Sequence, residues 1–552
     1  MIHHIEVQIL VLLLVAAMVG MGARRFRLPY TLALVLAGLV LGFARLGALA
    51  DVELNADLLL LALLPALLFE AAFHVDLKDF RRDLTPILIL AVPGVAVAVG
   101  LTALGSWAGL GLSGLVPGFE LQHAILFASV IAATDPISVL ALFRELGVPR
   151  RMYLLVEGES LLNDGVAVVV FVIVLGVIGL DAPHGGGHVE LHGFSEVLSF
   201  GLVTFIRMAV GGVLAGAIIG GVVSVLMRAI DDHLIEITLT ILVAYGSFLV
   251  AEELHCSGVL STVVAGLVMG NVGAKQGMSL STKIEVEDFW EVMAFLANSF
   301  IFLLVGLELQ PGALLRNVAG VAIAFVAVVL ARTVVVHGSL SIADRFGQAI
   351  PSKWRHIMVW GGLRGSLSMV LILTIPGDFE GRHILINLVF GVVALSLFAQ
   401  GLTMQPLLRR LGLLKGRSGH EDYELARGRV LAMEQALHVA EELRTEGVLP
   451  QQPYEQLTNW YRGRLGEARE QAVSGAGEDE LDEQMLEGLR RLAEAERTAL
   501  RHAANATIIS ESAAAELDRE VLLRLVELQE AAHEGEPELH GYIAKLTHAG
   551  EE

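Results

Sequence analysis

Three segments place charged side chains inside long apolar runs, where an ionisable group costs from about 3 kcal/mol upward and usually marks a pathway. They are Ala132-Ala133-Thr134-Asp135-Pro136-Ile137, Glu157-Gly158-Glu159-Ser160-Leu161-Leu162-Asn163-Asp164 and Gly361-Gly362-Leu363-Arg364-Gly365-Ser366. At about 1.5 Å per helical residue, Asp135 lies about 21 Å in from Leu121, Asp164 about 18 Å from Met152 and Arg364 about 17 Å from Lys353. Charges from three separated segments therefore meet at one depth, with Glu159 and Glu70 on nearby turns. Ser160 and Asp164 stand four residues apart on one helix face, so a hydroxyl and a carboxylate can meet the same ion. Oxygen-only ligands suit a hard alkali cation and not a transition metal. A carboxylate in a half-dry cavity holds either a proton or a cation, and competition for one such group is all that exchange requires. Arg364 reads as the partner that neutralises Glu159, leaving one exchangeable charge on Asp164. Arg332 is also deep and has no partner visible in the sequence. Glu157 reads as lining the entrance, and Glu70 as either ligand or funnel lining.

The elements that must position these groups are interrupted helices. Pro136 lacks an N–H and biases Asp135 away from helix; three glycines loosen the chain around Arg364. Unwound backbone at membrane depth is tolerated only beside protein or a water-filled cavity. One interruption in each half of the chain is the pattern of a transporter site built on inverted repeats.

The whole composition agrees. Hydrophobic residues make up 55% of the 552 positions, charged residues 18%, and mean hydropathy is +0.66, against about a quarter charged in soluble chains. A cytosolic enzyme, a disordered chain and a disulfide scaffold are excluded, the last by a single cysteine. About thirteen apolar runs long enough to span about 30 Å recur between short polar loops. Nineteen Lys and Arg fall in alternate loops or at the final exit, against three (Arg45, Arg316, Arg382) in the others. This positive-inside bias places the amino terminus outside and the carboxyl-terminal tail in the cytoplasm. No basic n-region precedes the first run, so a removed signal peptide is not expected. The chain reads as all-α and polytopic over residues 1–415, followed by a cytoplasmic acidic helical domain over 416–552. From Ser418 onward there are 13 Lys and Arg against 29 Asp and Glu. Helical patterns run over 421–446, 457–472, 481–506 and 513–532, broken at Pro450 and Pro453. Neither part has the basic patch that nucleic acid would need, and Ser160 has no adjacent histidine base for hydrolytic chemistry. His184, His188 and His192 read as a solvated loop.

At these residues the sequence resembles the sodium/proton exchanger family, in the bacterial branch with Asn163-Asp164 on the sixth helix. The likeness runs through Phe69-Glu70, Ala133-Thr134-Asp135-Pro136, Gly158 to Asp164, His255 to Leu260 and Gly361 to Gly365, in order over nearly all of residues 1–412. The resemblance implies a thirteen-helix protomer with two broken crossing helices, a homodimer, and a core that moves as an elevator. It implies Na⁺ contacts from Asp164, Asp135, Ser160, Glu70 and the Thr134 backbone, Asn163 holding the crossing, and Glu159 paired with Arg364. Asn163, where a sister branch carries Asp, implies electroneutral exchange. The expected activity is non-enzymatic antiport of Na⁺ (or Li⁺) against H⁺ in the cell (inner) membrane, without a cofactor. K⁺/H⁺ antiport on the same fold, a cation sensor signalling through the tail, and an organic-anion carrier are the alternatives. The deep Asp164 argues against the anion carrier.

Overall fold

Hydrocarbon offers no hydrogen-bond partners, so apolar runs of this length must satisfy their own backbone as helices. Every regular element among the described residues of the computed structural model is helical. The described residues are 2–26, 30–44, 59–180, 193–413 apart from 229, 231, 279, 310–311, 313–315 and 346–348, 420–475 apart from 446–447, and short pieces between 492 and 521. Two compact units, Met1–Lys415 and Gly416–Glu552, divide the chain.

In the first unit the helices are α1 (Ile2–Phe26), α2 (Tyr30–Ala44), α3 (Leu64–His74), the short α4 (Leu77–Arg82) and α5 (Leu84–Leu112). Next come α6 (Leu121–Val130), α7 (Ile137–Leu146), α8 (Arg150–Ile178), α9 (Phe194–Met227) and α10 (His233–Glu253). The unit closes with α11 (Gly258–Gly273), α12 (Leu280–Glu308), α13 (Val318–Asp344), α14 (Ser352–Trp360), α15 (Ser366–Leu373) and α16 (Arg382–Arg410). Seven of these are long and apolar enough to cross a membrane, and five shorter apolar helices accompany them. Large apolar side chains from Leu198 to Leu226 stand exposed along α9, a surface that water would not tolerate and lipid or protein would cover.

Helix ends carry the expected chemistry. Asp76 accepts from the Lys78 and Asp79 amides at the start of α4, and Asp232 and Ser257 do the same for α10 and α11. Lys275 Nζ lies 2.7 Å from Asp76 Oδ2, and this contact with the capped amides holds the Asp76 carboxyl down at about 2. α2 packs on α12, α9 on α11, α11 on α3 and α13 on α5. The α9–α11 approach depends on the glycine stripe of α9: a methyl group on Gly216 would strike the Ser261 carbonyl, and one on Gly220 would meet Ala265 Cα at 3.1 Å. This is small-residue packing, as in membrane helix pairs generally.

The two interruptions fall where proline and glycine put them. α6 stops at Val130, the chain runs unwound to Pro136, and α7 starts at Ile137. α14 stops at Trp360 and α15 resumes at Ser366. The unwound stretches meet, the Asp135 N–H donating to the Leu363 carbonyl at 2.8 Å.

In the second unit α17 (His420–Thr445) and α18 (Gln451–Gly475) form a helical hairpin. Ala440 on α17 and Leu465 and Ala468 on α18 are buried, whereas Leu431, part of the expected stripe, is 61% exposed. Pro450 precedes α18, but Pro453 sits within its first turn, where its missing N–H has no intrahelical partner to lose. Most of the pattern at 481–506 and of that at 513–532 lies outside the described residues, as do His184, His188 and His192, while 495–500 and 512–521 are helical.

Candidate functional site

A cavity of about 90 Å³ opens where the unwound stretches meet α3 and α8. Its polar lining comprises Thr134 and Asp135 from the first interruption, Glu157, Ser160 and Asp164 from α8, and Ser366 at the start of α15. α8 supplies its three because 157, 160 and 164 recur at helical spacing on one face. Among the described residues, three carboxylates line this space and no Lys, Arg or His does.

Asp135 divides its two oxygens between roles. Oδ1 accepts the Ile137 N–H at 3.0 Å, capping α7, while Oδ2 is buried with no hydrogen-bond partner among the described residues. Asp164 Oδ1 is likewise buried and unpartnered. Ser160 Oγ donates to the Thr134 carbonyl at 2.6 Å. Asn163 Nδ2 donates to Thr134 Oγ1 at 2.8 Å and Ala132 O at 3.3 Å, so it braces the unwound chain from the cavity's edge. Glu70 does not line the cavity. Leu64, Leu67, Leu68 and Ala71 are the α3 residues that do, while the Glu70 carboxylate sits 3.4 Å from His74 Nδ1 one turn on.

The buried ion pair differs from the expected one. Glu159 is held by Arg332, whose Nη1 and Nη2 reach its two oxygens at 2.7 and 2.8 Å. Arg364 instead donates through Nη1 to the Ala132 and Ala133 carbonyls at 2.9 and 3.2 Å. The physical reason is the helix breaks. Each leaves carbonyls without intrahelical donors, at the negative end of a helix dipole. Arg364 serves the end of α6, and Arg332 serves α14 through the Met358 carbonyl at 3.2 Å, with Glu159 balancing its charge. The sequence carried one usable sign of this: Arg332, 14 residues after Val318, is a second arginine inside a long apolar run, and a buried cation calls for a carboxylate.

Gly365 permits the crossing. A methyl group there would fall well inside van der Waals contact of Asp135 Cβ and its carboxylate. Gly365→Ala is expected to push the Asp135 carboxylate off the cavity, cutting sodium-driven proton movement at least about tenfold and destabilising by about 1–3 kcal/mol through overpacking. Gly100→Ala, at a position with nothing within 4 Å, is the control. Equal activities for the two variants in vesicles would show that the approach at Gly365 is not needed.

An all-helical bundle with two interrupted, crossing segments around an acidic cavity is the architecture of a polytopic membrane transporter. A family model described as sodium/hydrogen exchanger, transmembrane, matches residues 9–410, and the chain belongs to that family. It is 36% identical over 489 residues to the Na⁺/H⁺ antiporter NhaG of Bacillus atrophaeus, covering 85% of this chain and 87% of that one. It is 39% identical over 413 residues to the Na⁺/H⁺ antiporter ApNhaP of Aphanothece halophytica, covering 74% and 75%. Among solved structures, the sodium proton antiporter MjNhaP1 of Methanocaldococcus jannaschii superposes with a TM-score of 0.59 at 18% identity, over 74% of this chain and 99% of that one; that likeness speaks for the fold.

Proposed function

We propose that the protein is a secondary active antiporter exchanging Na⁺ (or Li⁺) for H⁺ across the cell membrane, one for one, with both ions competing for Asp164. Sodium/proton antiport is the activity its family and relatives carry. The observation that carries the finer reading is the acidic cavity with no basic side chain among its described lining residues: the charge that nearby Arg364 and Arg144 leave unbalanced must be met from solution, by a cation or a proton. The unpartnered Asp164 Oδ1 and Asp135 Oδ2 would take that ion, with the Thr134 carbonyl and Ser160 hydroxyl completing an all-oxygen set suited to an alkali cation. Ser160 donates its proton to the Thr134 carbonyl, which leaves the hydroxyl oxygen's lone pairs free to face a cation.

Charge counting supports electroneutrality. Glu159 and Arg332 cancel each other, Arg144 offsets Glu157 across the Tyr153 hydroxyl, and Arg364, anchored one residue from the site, offsets one of the two aspartates. One negative charge is left to exchange. The thirteen-span topology, with the tail in the cytoplasm of an inner membrane, rests on loop charge. The homodimer and elevator motion rest on the family resemblance. Residues 416–552 would form a separate cytoplasmic domain, and Glu70 would act beside the cavity more than within it.

Sodium titrations of exchange in vesicles at several symmetrical pH values test the reading. Half-saturating Na⁺ should rise as pH falls, close to tenfold per pH unit at the steepest for one shared group, while maximal rate at saturating Na⁺ stays within a few fold. A collapse of maximal rate at constant half-saturation would require a separate proton site.

A further inference from the structure

Beyond the cavity, a polar relay leads from its Glu157 wall to the end of α8 that carries Arg150 and Arg151. Tyr153 and Glu157 precede Ser160 and Asp164 on the same face of α8. The Tyr153 hydroxyl donates to Glu157 Oε1 at 3.2 Å and accepts from Arg144 Nε and Nη2 at 2.9 and 2.6 Å. The Arg144 guanidinium also lies 5.4 Å from the centre of the Tyr153 ring. Exposure falls along the relay: Arg144 is exposed, Tyr153 half-buried, and Glu157 7% exposed.

Arg144 is the last-turn residue of α7, whose first turn is capped by Asp135. The same short helix therefore joins the site to the relay. Glu70 of α3 lies within electrostatic reach of both Arg144 and Glu157, with His74 beside it and Glu291 of α12 beyond. This vestibule holds two carboxylates next to the cavity, and Arg144 is the permanent cation that acts on both.

We propose that Arg144, held by Tyr153, is an ion-displaceable latch at this mouth: it supplies the countercharge of Glu157 and Glu70 until an entering monovalent cation takes that role over. The idea rests on the antiport reading and adds a positioning residue that sets apparent cation affinity from one face only. An arriving Na⁺ must work against the guanidinium for the same carboxylates, so the latch weakens entry from the Arg150 face. It leaves the opposite face, from which Asp164 is reached without passing Arg144, unaffected.

The test uses full-length protein in vesicles of either orientation, with Na⁺ as the probe. Arg144→Gln should lower half-saturating Na⁺ about three- to tenfold when Na⁺ is presented at the Arg150 face, the size of one partly screened charge interaction, and leave it unchanged at the other face. Arg144→Lys should stay close to wild type. Tyr153→Phe, which keeps the ring and frees the guanidinium, should shift the same parameter in the same direction by less. An unchanged or raised half-saturation at the Arg150 face, or an equal shift at both faces, would overturn the proposal and leave Arg144 a helix tether. If Arg144→Gln fails to fold, Tyr153→Phe carries the same sided comparison. Sodium-dependent thermal stabilisation in detergent reads occupancy without transport. If the wild type moved no protons, the antiport reading would fall, and a lower half-effective Na⁺ for Arg144→Gln in that assay would still support the latch.

Discussion

Asp164→Asn is expected to abolish sodium-driven proton movement, by at least about a hundredfold, while the protein still folds. A carboxylate–cation contact in a partly desolvated site is worth several kcal/mol, and each 1.4 kcal/mol is about tenfold. The amide keeps the shape and the α8 packing but can neither release a proton nor balance a cation. Asp164 Oδ1 has no hydrogen-bond donor among the described residues, and an amide oxygen can keep what the Thr134 backbone gives the group, so removing its charge should relieve repulsion from Asp135 and leave thermal stability equal or higher. That pairing of lost transport with kept stability separates a substrate site from a structural carboxylate. The measurement is dye-reported pH change in vesicles on adding Na⁺, beside an unfolding scan of the same preparation. Exchange within a few fold of wild type would remove Asp164 from the centre of the mechanism.

Asp135→Asn makes a useful contrast. Its Oδ1 accepts the Ile137 N–H, and an amide oxygen can do the same, so α7 remains capped. Only the charge on the cavity side is lost. The two aspartates are thus distinguishable by what else each one holds.

How much of this was legible beforehand follows from which constraints act along the chain and which act between chains of contacts. The helices were legible because hydrocarbon permits little else, and the two breaks because Pro136 and the glycines around Arg364 are local signals. Depth counting brought Asp135, Asp164 and Arg364 to one level, helix spacing added Ser160, and the family resemblance added Thr134; Thr134, Asp135, Ser160 and Asp164 line one cavity. Rotation about a helix axis was not legible. Glu70 lies at a suitable depth, yet α3 turns Leu67, Leu68 and Ala71 to the cavity and leaves Glu70 against His74. Partner choice among buried charges was hidden for a related reason. Two guanidiniums reach the level of Glu159, and which one it meets depends on the carbonyls exposed by the crossing, a tertiary feature with no trace in spacing.

That partner choice gives the largest expected effect on stability. Glu159 and Arg332 are 2% and 7% exposed, and the pair is bidentate. Taking away one partner strands the other charge in a low-dielectric interior, at about 3–5 kcal/mol. Glu159→Gln and Arg332→Met should each lower apparent melting temperature sharply. The double variant should recover much of the loss, a coupling of about 2 kcal/mol or more in the cycle, since close partners couple by about 0.5–3 kcal/mol. The matching cycle of Glu159→Gln with Arg364→Met should couple by no more than about 1 kcal/mol, because Arg364 spends its hydrogen bonds on the Ala132 and Ala133 carbonyls. Losing Arg364 instead uncaps the end of α6, an injury that neutralising Glu159 does nothing to mend. Additive losses in the Arg332 cycle, or stronger coupling in the Arg364 cycle, would return Glu159 to Arg364. The charge count at the site would survive that exchange of partners, since either arginine cancels Glu159 and the other is left beside the aspartates; what would change is which broken helix loses its cap when the pair is cut.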